Sequence, residues 1–116
     1  MIIRPTANGR AIKLAAALFS LGIAATVQAQ EGDPRRGLDY AKRICAECHA
    51  VLPSEPSARI DAPAFKVIAN TPGMTGTALA VWQRTPHKSM PDLIIDTEDR
   101  NNVIAYIVSL RDPPAR

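Results

Sequence analysis

The 116-residue sequence is poor in aromatic residues and in cysteine. Its 87 residues from 30 to 116 contain four aromatic side chains, Tyr40, Phe65, Trp82 and Tyr106. A domain of that size buries a modest fraction of its surface and usually needs an additional stabilising element. The two cysteines supply little of this as a disulfide, because a bridge between Cys45 and Cys48 would close a very short loop.

Acidic residues are absent from the first 29 residues, which carry three basic ones, Arg4, Arg10 and Lys13. An uncharged, largely apolar run of about 14 residues follows, from Leu14 to Val27, and it is shorter than the roughly 20 residues that span a bilayer. We therefore interpret residues 1–29 as a secretory signal peptide, cleaved after Ala29, rather than as a retained transmembrane anchor. This predicts a periplasmic protein with no transmembrane span after cleavage.

An excess of basic over acidic residues is also missing from the rest of the chain once residues 1–29, the leader, are left out. The whole chain has 14 basic and 11 acidic residues, and without the three basic residues of the leader each sign numbers 11. The basic isoelectric point therefore belongs mostly to the leader and gives no support to nucleic-acid binding. We predict no nucleic-acid partner.

No alternating strand pattern of useful length is present, which predicts an all-α fold of about four short helices and long loops rich in proline. Asp33-Pro34 is a helix-start signal, and an amphipathic pattern follows as far as Cys48. Three further helices are predicted: residues 65–69, a helix from Thr75 or Thr77 to about Arg84, and a helix from Thr97 to the prolines at 113 and 114.

The most specific pattern is Cys-Ala-Glu-Cys-His at residues 45–49, the spacing of a c-type haem attachment motif. On a helical turn Cys45, Cys48 and His49 face the same way. Two thiols placed so can add to the vinyl groups of a haem while the imidazole binds its iron. A thioredoxin-type pair belongs in a βαβ context, which is not indicated here, and zinc needs four ligands, for which His87 is the further candidate. The motif predicts one covalently bound haem c.

With this motif, the Met-Pro pair at residues 90 and 91 and an amphipathic last helix in the expected order, the sequence resembles a class I monohaem c-type cytochrome over nearly all of residues 30–116. The resemblance implies a cytochrome c domain in which Cys45 and Cys48 form thioethers. It implies His49 as the proximal iron ligand and Met90 as the distal one. A thioether ligand raises the reduction potential of haem iron.

Two further contacts are implied by the resemblance. The carbonyl group of Pro63 would accept a hydrogen bond from His49, which fixes the tautomer of a ligand histidine and raises its basicity. Gly37 and Tyr106 would lie where the first and last helices cross closely.

The distal ligand has rivals among the residues themselves. Met90 lies in a polar loop before a proline, an unusual place for a methionine that only fills a core. His87 and Met74 are the alternatives. Trp82 is predicted as a core residue, as large aromatic side chains usually are, and packing against the haem is its alternative role.

The function implied is single-electron transfer rather than catalysis, because iron with both axial positions filled by protein has no place for a substrate. The expected partners are redox proteins: a dehydrogenase or membrane electron-transfer complex on one side and an oxidase or reductase on the other. Two alternatives stay open, a haem-bearing subunit of a periplasmic oxidoreductase complex and a haem protein with an open distal site.

Overall fold

The computed structural model describes residues 32–114, which form four α-helices, one short 3-10 turn and no β-strand. The helices are α1 (Pro34–Arg43), α2 (Phe65–Ala69), α3 (Gly76–Trp82) and α4 (Thr97–Ser109), and the 3-10 turn covers Cys45–Glu47. The all-α prediction of four short helices and long loops is confirmed. No helix within residues 32–114 has the length and apolar character needed to cross a membrane. The predicted signal peptide, residues 1–29, lies outside the described residues.

Side-chain caps begin three of the helices, and these are short-range features that a sequence displays directly. Asp33 caps α1, Thr75 caps α3 and Asp96 caps α4. Their oxygens accept backbone N–H groups of the first turns at 2.8, 3.0 and 2.9 Å, respectively. Such a cap stabilises a helix by about 1 kcal/mol. The caps account for the agreement between the predicted and observed starts.

The helix ends differ more from the predictions. The first α-helix stops at Arg43 rather than at Cys48, and the chain tightens into the 3-10 turn, a common transition at helix termini. The last helix ends at Ser109, four residues before the first of the two closing prolines. There the Ser109 hydroxyl donates to the carbonyl oxygen of Tyr106 at 2.6 Å and satisfies a carbonyl group of the last turn.

Helices α1 and α4 cross at a glycine. A Cβ atom on Gly37 would lie 2.0 Å from the carbonyl oxygen of Asn102 and 2.9 Å from the Cβ of Tyr106. The backbones can approach this closely because residue 37 has no side chain. Nearby, the buried Asn102 side chain accepts the N–H of Asp33 at 2.7 Å. The expected crossing at Gly37 and Tyr106 is confirmed.

The core lies between α4 and the elements packed on it. Its eight clustered members share nearly complete burial: Ala41, Val51, Phe65, Ala69, Leu79, Val103, Tyr106 and Ile107. The Tyr106 hydroxyl donates to the carbonyl oxygen of Val51 at 2.6 Å, so that its buried polar end is paired.

Trp82 does not belong to this core, and its prediction as a core residue is wrong. Its surface is 51% exposed, whereas Leu79 is the buried residue of α3. The reason is position, because α3 ends at Trp82 and this indole lies on the wall of a cavity instead of against α4.

Candidate functional site

A cavity of about 550 Å³ lies beside the core, within the size range of about 300–1,000 Å³ typical of cofactor and ligand sites. It is lined by side chains from the 3-10 turn, from the three helices α2, α3 and α4, from the loop before α2 and from the loop after α3. The apolar wall residues include Phe65, Leu79 and Val103. All the site residues predicted from the sequence line this one cavity: Cys45, Cys48, His49, Pro63, Trp82 and Met90.

The attachment motif folds as the turn that its spacing predicts. The N–H groups of Cys48 and His49 both donate to the carbonyl oxygen of Cys45, at 3.1 and 2.9 Å. The two cysteines are half-buried free thiols. Burial raises the pKa of the Cys45 thiol to about 11, so this group is protonated at neutral pH. Thiol-disulfide enzymes depend on a lowered cysteine pKa, and the raised value disfavours the thioredoxin alternative.

The imidazole of His49 is held in one orientation. Its Nδ1 lies 2.7 Å from the carbonyl oxygen of Pro63. A carbonyl oxygen only accepts, so Nδ1 carries a proton, and in the neutral ring Nε2 has the lone pair that can bind a metal ion. The Phe65 ring packs beside the imidazole, with 5.4 Å between the ring centroids. Nε2 is therefore the ring nitrogen that the local geometry leaves available to an iron atom.

The wall around Pro63 is fixed to the attachment segment by the backbone. The N–H of Arg59 donates to the carbonyl of Cys48 at 3.1 Å, and the N–H of Phe65 donates to the carbonyl of Ala50 at 2.9 Å. The N–H of Ala50 in turn donates to the hydroxyl of Ser57 at 2.9 Å. These bonds close the loop of residues 50–64 back onto the residues that precede it. The acceptor for the imidazole is thereby held in place.

The loop after α3 forms another wall and carries Met90. The N–H of Met90 donates to the carbonyl of His87 at 3.4 Å, and the His87 ring packs edge-on against Trp82 with 5.1 Å between centroids. The Nδ1 of His87 donates to the carbonyl of Thr85 at 3.0 Å. Met74 lines the same cavity. The structure thus brings all three candidates for a distal ligand to one space.

The chemistry of these side chains fits a haem c. The thiols of Cys45 and Cys48 and the imidazole of His49 lie on one turn, and Nε2 of the imidazole is available to a metal. The Met90 thioether lies on a loop that lines the same cavity. The rest of the cavity lining is mainly apolar. Thiols form the covalent attachment, while nitrogen and sulfur donors are typical axial ligands of haem iron.

Three residues near the cavity were not identified from the sequence. Arg59 binds the Asp61 carboxylate through two hydrogen bonds, of 3.0 and 2.9 Å. Asp61 and Ser89 line the cavity, and Ser89 has a φ of 72°, the one positive φ of a non-glycine residue in the described chain. An Arg-x-Asp spacing and a lone serine are too common to stand out in a sequence. Only the folded arrangement brings Asp61 and Ser89 to one cavity.

Comparison with known proteins identifies a relative of this chain. The chain is 37% identical to cytochrome c-552 of Bradyrhizobium diazoefficiens over 79 residues, which is 68% of this chain and 76% of the relative. No family model matches the sequence. No solved structure matches it either.

Proposed function

This chain belongs to the c-type cytochrome family and binds haem c covalently, and from that premise we propose that it is an exported single-electron carrier with His49 and Met90 as axial iron ligands. Haem iron, when bound, supplies the one-electron chemistry. The observation that carries the proposal is the bond from His49 Nδ1 to the carbonyl of Pro63, which leaves Nε2 as the ring nitrogen available to a metal in a cavity that Met90 also lines.

Each residue has a distinct task in this proposal. Cys45 and Cys48 hold the porphyrin by thioether bonds, which prevents its loss outside the cell membrane. Pro63 fixes the tautomer of His49 and increases the electron donation of that ligand. Met90 contributes a soft thioether that favours the reduced metal and raises the reduction potential.

A carrier role follows from these ligands. With both axial positions taken by side chains, no position is left at which a substrate would bind. The leader of residues 1–29 directs the chain to the periplasm. There the protein exchanges electrons with redox partners, a dehydrogenase or membrane electron-transfer complex as donor and an oxidase or reductase as acceptor.

The test is spectroscopic and uses the exported, haem-loaded protein. A pyridine haemochrome spectrum counts the thioether bonds, and we expect two. The oxidised protein should show the weak far-red band of sulfur-to-iron ligation. Met90→Ala should abolish this band, while the matched variants Met74→Ala and His87→Ala should keep it. A far-red band that survives in Met90→Ala contradicts the ligand assignment.

Two further measurements separate the carrier from its alternatives. Carbon monoxide binding by the reduced wild-type protein at neutral pH would favour an open distal site. Size-exclusion chromatography of the native protein should give a mass near that of the monomer, whereas a haem-bearing subunit elutes with its complex.

A further inference from the structure

One wall of the cavity is built from the short helix α2 and the loop that follows it. The helix has five residues and no side-chain cap at its start, and helices of this length are unstable unless other elements support them. The loop of residues 70–73 turns at Gly73, with a φ of 77°, and the N–H of Met74 donates across the turn to the carbonyl of Thr71 at 3.0 Å. Because Ile68, Thr71 and Met74 line the cavity, the shape of this wall depends on how the loop is held.

Arg111, two residues after the end of α4, is bonded to both ends of this loop. Its Nε donates to the carbonyl oxygen of Ala69 at 3.4 Å, and its Nη2 donates to the carbonyl oxygen of Met74. Ala69 is the last residue of α2, and the last carbonyl groups of a helix have no partner within the helix. Within the described chain, Arg111 forms no ion pair with a carboxylate. The planar guanidinium instead joins two backbone carbonyl groups, one on each side of the loop.

Asn70 provides a second link between the same two segments. Its side-chain oxygen accepts the N–H of Asp112 at 2.8 Å, and its side-chain nitrogen donates to the carbonyl oxygens of Lys66 at 2.8 Å and Leu110 at 3.4 Å. The Asp112 carboxylate also forms an ion pair with Lys66 of α2. Residues near a chain end are usually poorly ordered unless they are tied down. Residues 110–112 are tied to α2 and its loop by both side chains and backbone.

We propose that residues 110–112 and Asn70, here named the carboxyl-terminal lock, hold this wall of the cavity against the bound haem. Arg111 is the main positioning residue. No residue of the lock lines the cavity, so the lock acts through the wall, where Met74 also packs against the core. A closed apolar wall keeps water from the haem, and exclusion of water disfavours the more highly charged oxidised iron. The lock therefore raises the reduction potential. The inference rests on the proposed electron transfer by a haem in this cavity, and it does not depend on which side chain is the distal ligand.

The test compares three variants of the haem-loaded protein, Arg111→Gln, Arg111→Lys and Asn70→Ala. Native-state hydrogen exchange of the Met74 amide measures how often the loop opens. Each variant should speed this exchange about fivefold, as expected for the loss of one hydrogen bond. In a spectroelectrochemical titration each variant should also have a lower reduction potential, because water reaches the haem more easily. At the wild-type midpoint, the reduced fraction of each variant should fall from one half to roughly one quarter.

The variants separate positioning from charge. Lysine keeps the positive charge but lacks the planar fork that joins two carbonyl groups, so Arg111→Lys should behave like Arg111→Gln. Asn70→Ala changes no charge. The matched control is Arg36→Gln, which removes an exposed arginine that pairs with Glu98, and neither of these residues lines the cavity. Its potential and its Met74 exchange should equal those of wild type, because solvent and salt screen exposed charges.

The outcomes distinguish the lock from the proposed ligation. Faster exchange and a lower potential in all three variants support the lock. Faster exchange at the wild-type potential overturns the inference, because the lock would then be only a structural link. A wild-type potential in Arg111→Lys together with a lowered one in Arg111→Gln also overturns it, because the effect would then come from charge. A wild-type protein without the far-red band contradicts ligation by Met90 instead, and the comparison of potentials still decides the role of the lock.

Discussion

Replacing Gly37 with alanine tests the packing on which the whole fold depends. A Cβ atom there would lie 2.0 Å from the carbonyl oxygen and 2.5 Å from the carbonyl carbon of Asn102. Carbon–oxygen contacts between neighbouring backbones are normally about 3.3 Å or longer, so α1 and α4 would have to separate by about 1 Å. No side-chain rotation relieves the clash, because both atoms belong to the backbone of α4.

The expected cost is large for a domain of this size. Overpacking a core usually costs about 1–3 kcal/mol, and a clash of backbone with side chain belongs at the upper end or beyond. A loss of about 3 kcal/mol, compared with a total stability of about 5–15 kcal/mol, should lower the melting temperature by about 12–24 °C. Thermal unfolding of the haem-loaded protein, followed by far-ultraviolet circular dichroism, measures this shift.

Gly76→Ala is the matched control, with the same chemical change at a helix start. A Cβ atom on Gly76 would meet the Cγ2 of Ile104 at 3.4 Å, an ordinary van der Waals contact. Alanine also restricts the unfolded chain, so the melting temperature should stay the same or rise slightly. If Gly37→Ala melts within a few degrees of Gly76→Ala, the reasoning from the helix crossing is refuted.

Three more predictions concern the core and the cavity. Tyr106→Phe leaves the buried carbonyl of Val51 without its donor, so the free energy of unfolding should fall by about 1–3 kcal/mol in denaturant titrations, and an unchanged midpoint would contradict this. Burial, with a smaller contribution from the charge of Glu55, raises the pKa of Tyr106, so the unfolded chain releases this proton first and stability should decline as pH rises above about 10. Tyr106→Phe should weaken that decline, and identical alkaline titrations of the two proteins would count against the assignment. A haem-free chain with Cys45→Ala and Cys48→Ala should not unfold cooperatively, because the mainly apolar lining of the cavity of about 550 Å³ is then exposed to water and the small remaining core does not offset the entropy of ordering the chain. A sharp transition in circular dichroism would show that the fold does not need the haem.

The sequence predicted well what depends on near neighbours. The starts of α1, α3 and α4 follow from a capping side chain within three residues, and α2 appeared with its observed bounds, Phe65–Ala69. The turn at the attachment motif likewise follows from a fixed spacing. These signals are short-range, and the rest of the fold does not override them.

What the sequence missed depends on contacts between distant segments. Trp82 is of a residue type that is usually buried, but its exposure depends on where α3 ends relative to the cavity. Asn102 looks like a surface residue, yet it is buried because it pairs with the backbone of Asp33, 69 residues earlier. Asp61 and Ser89 come to line the same cavity only through folding. Residue type and periodicity carry no information on such pairings.

The order of the elements along the chain has a consequence for assembly. The helix that seals the core, α4, begins about 50 residues after the attachment motif. Under the export proposed above, a chain that crosses the membrane amino terminus first presents its two thiols well before α4 arrives. The thioether bonds to haem can therefore form while the attachment segment is still accessible, and the last helix then packs to complete the fold around the haem. If α4 preceded the attachment motif in the chain, the same cysteines would have to react after the wall of the cavity had already folded.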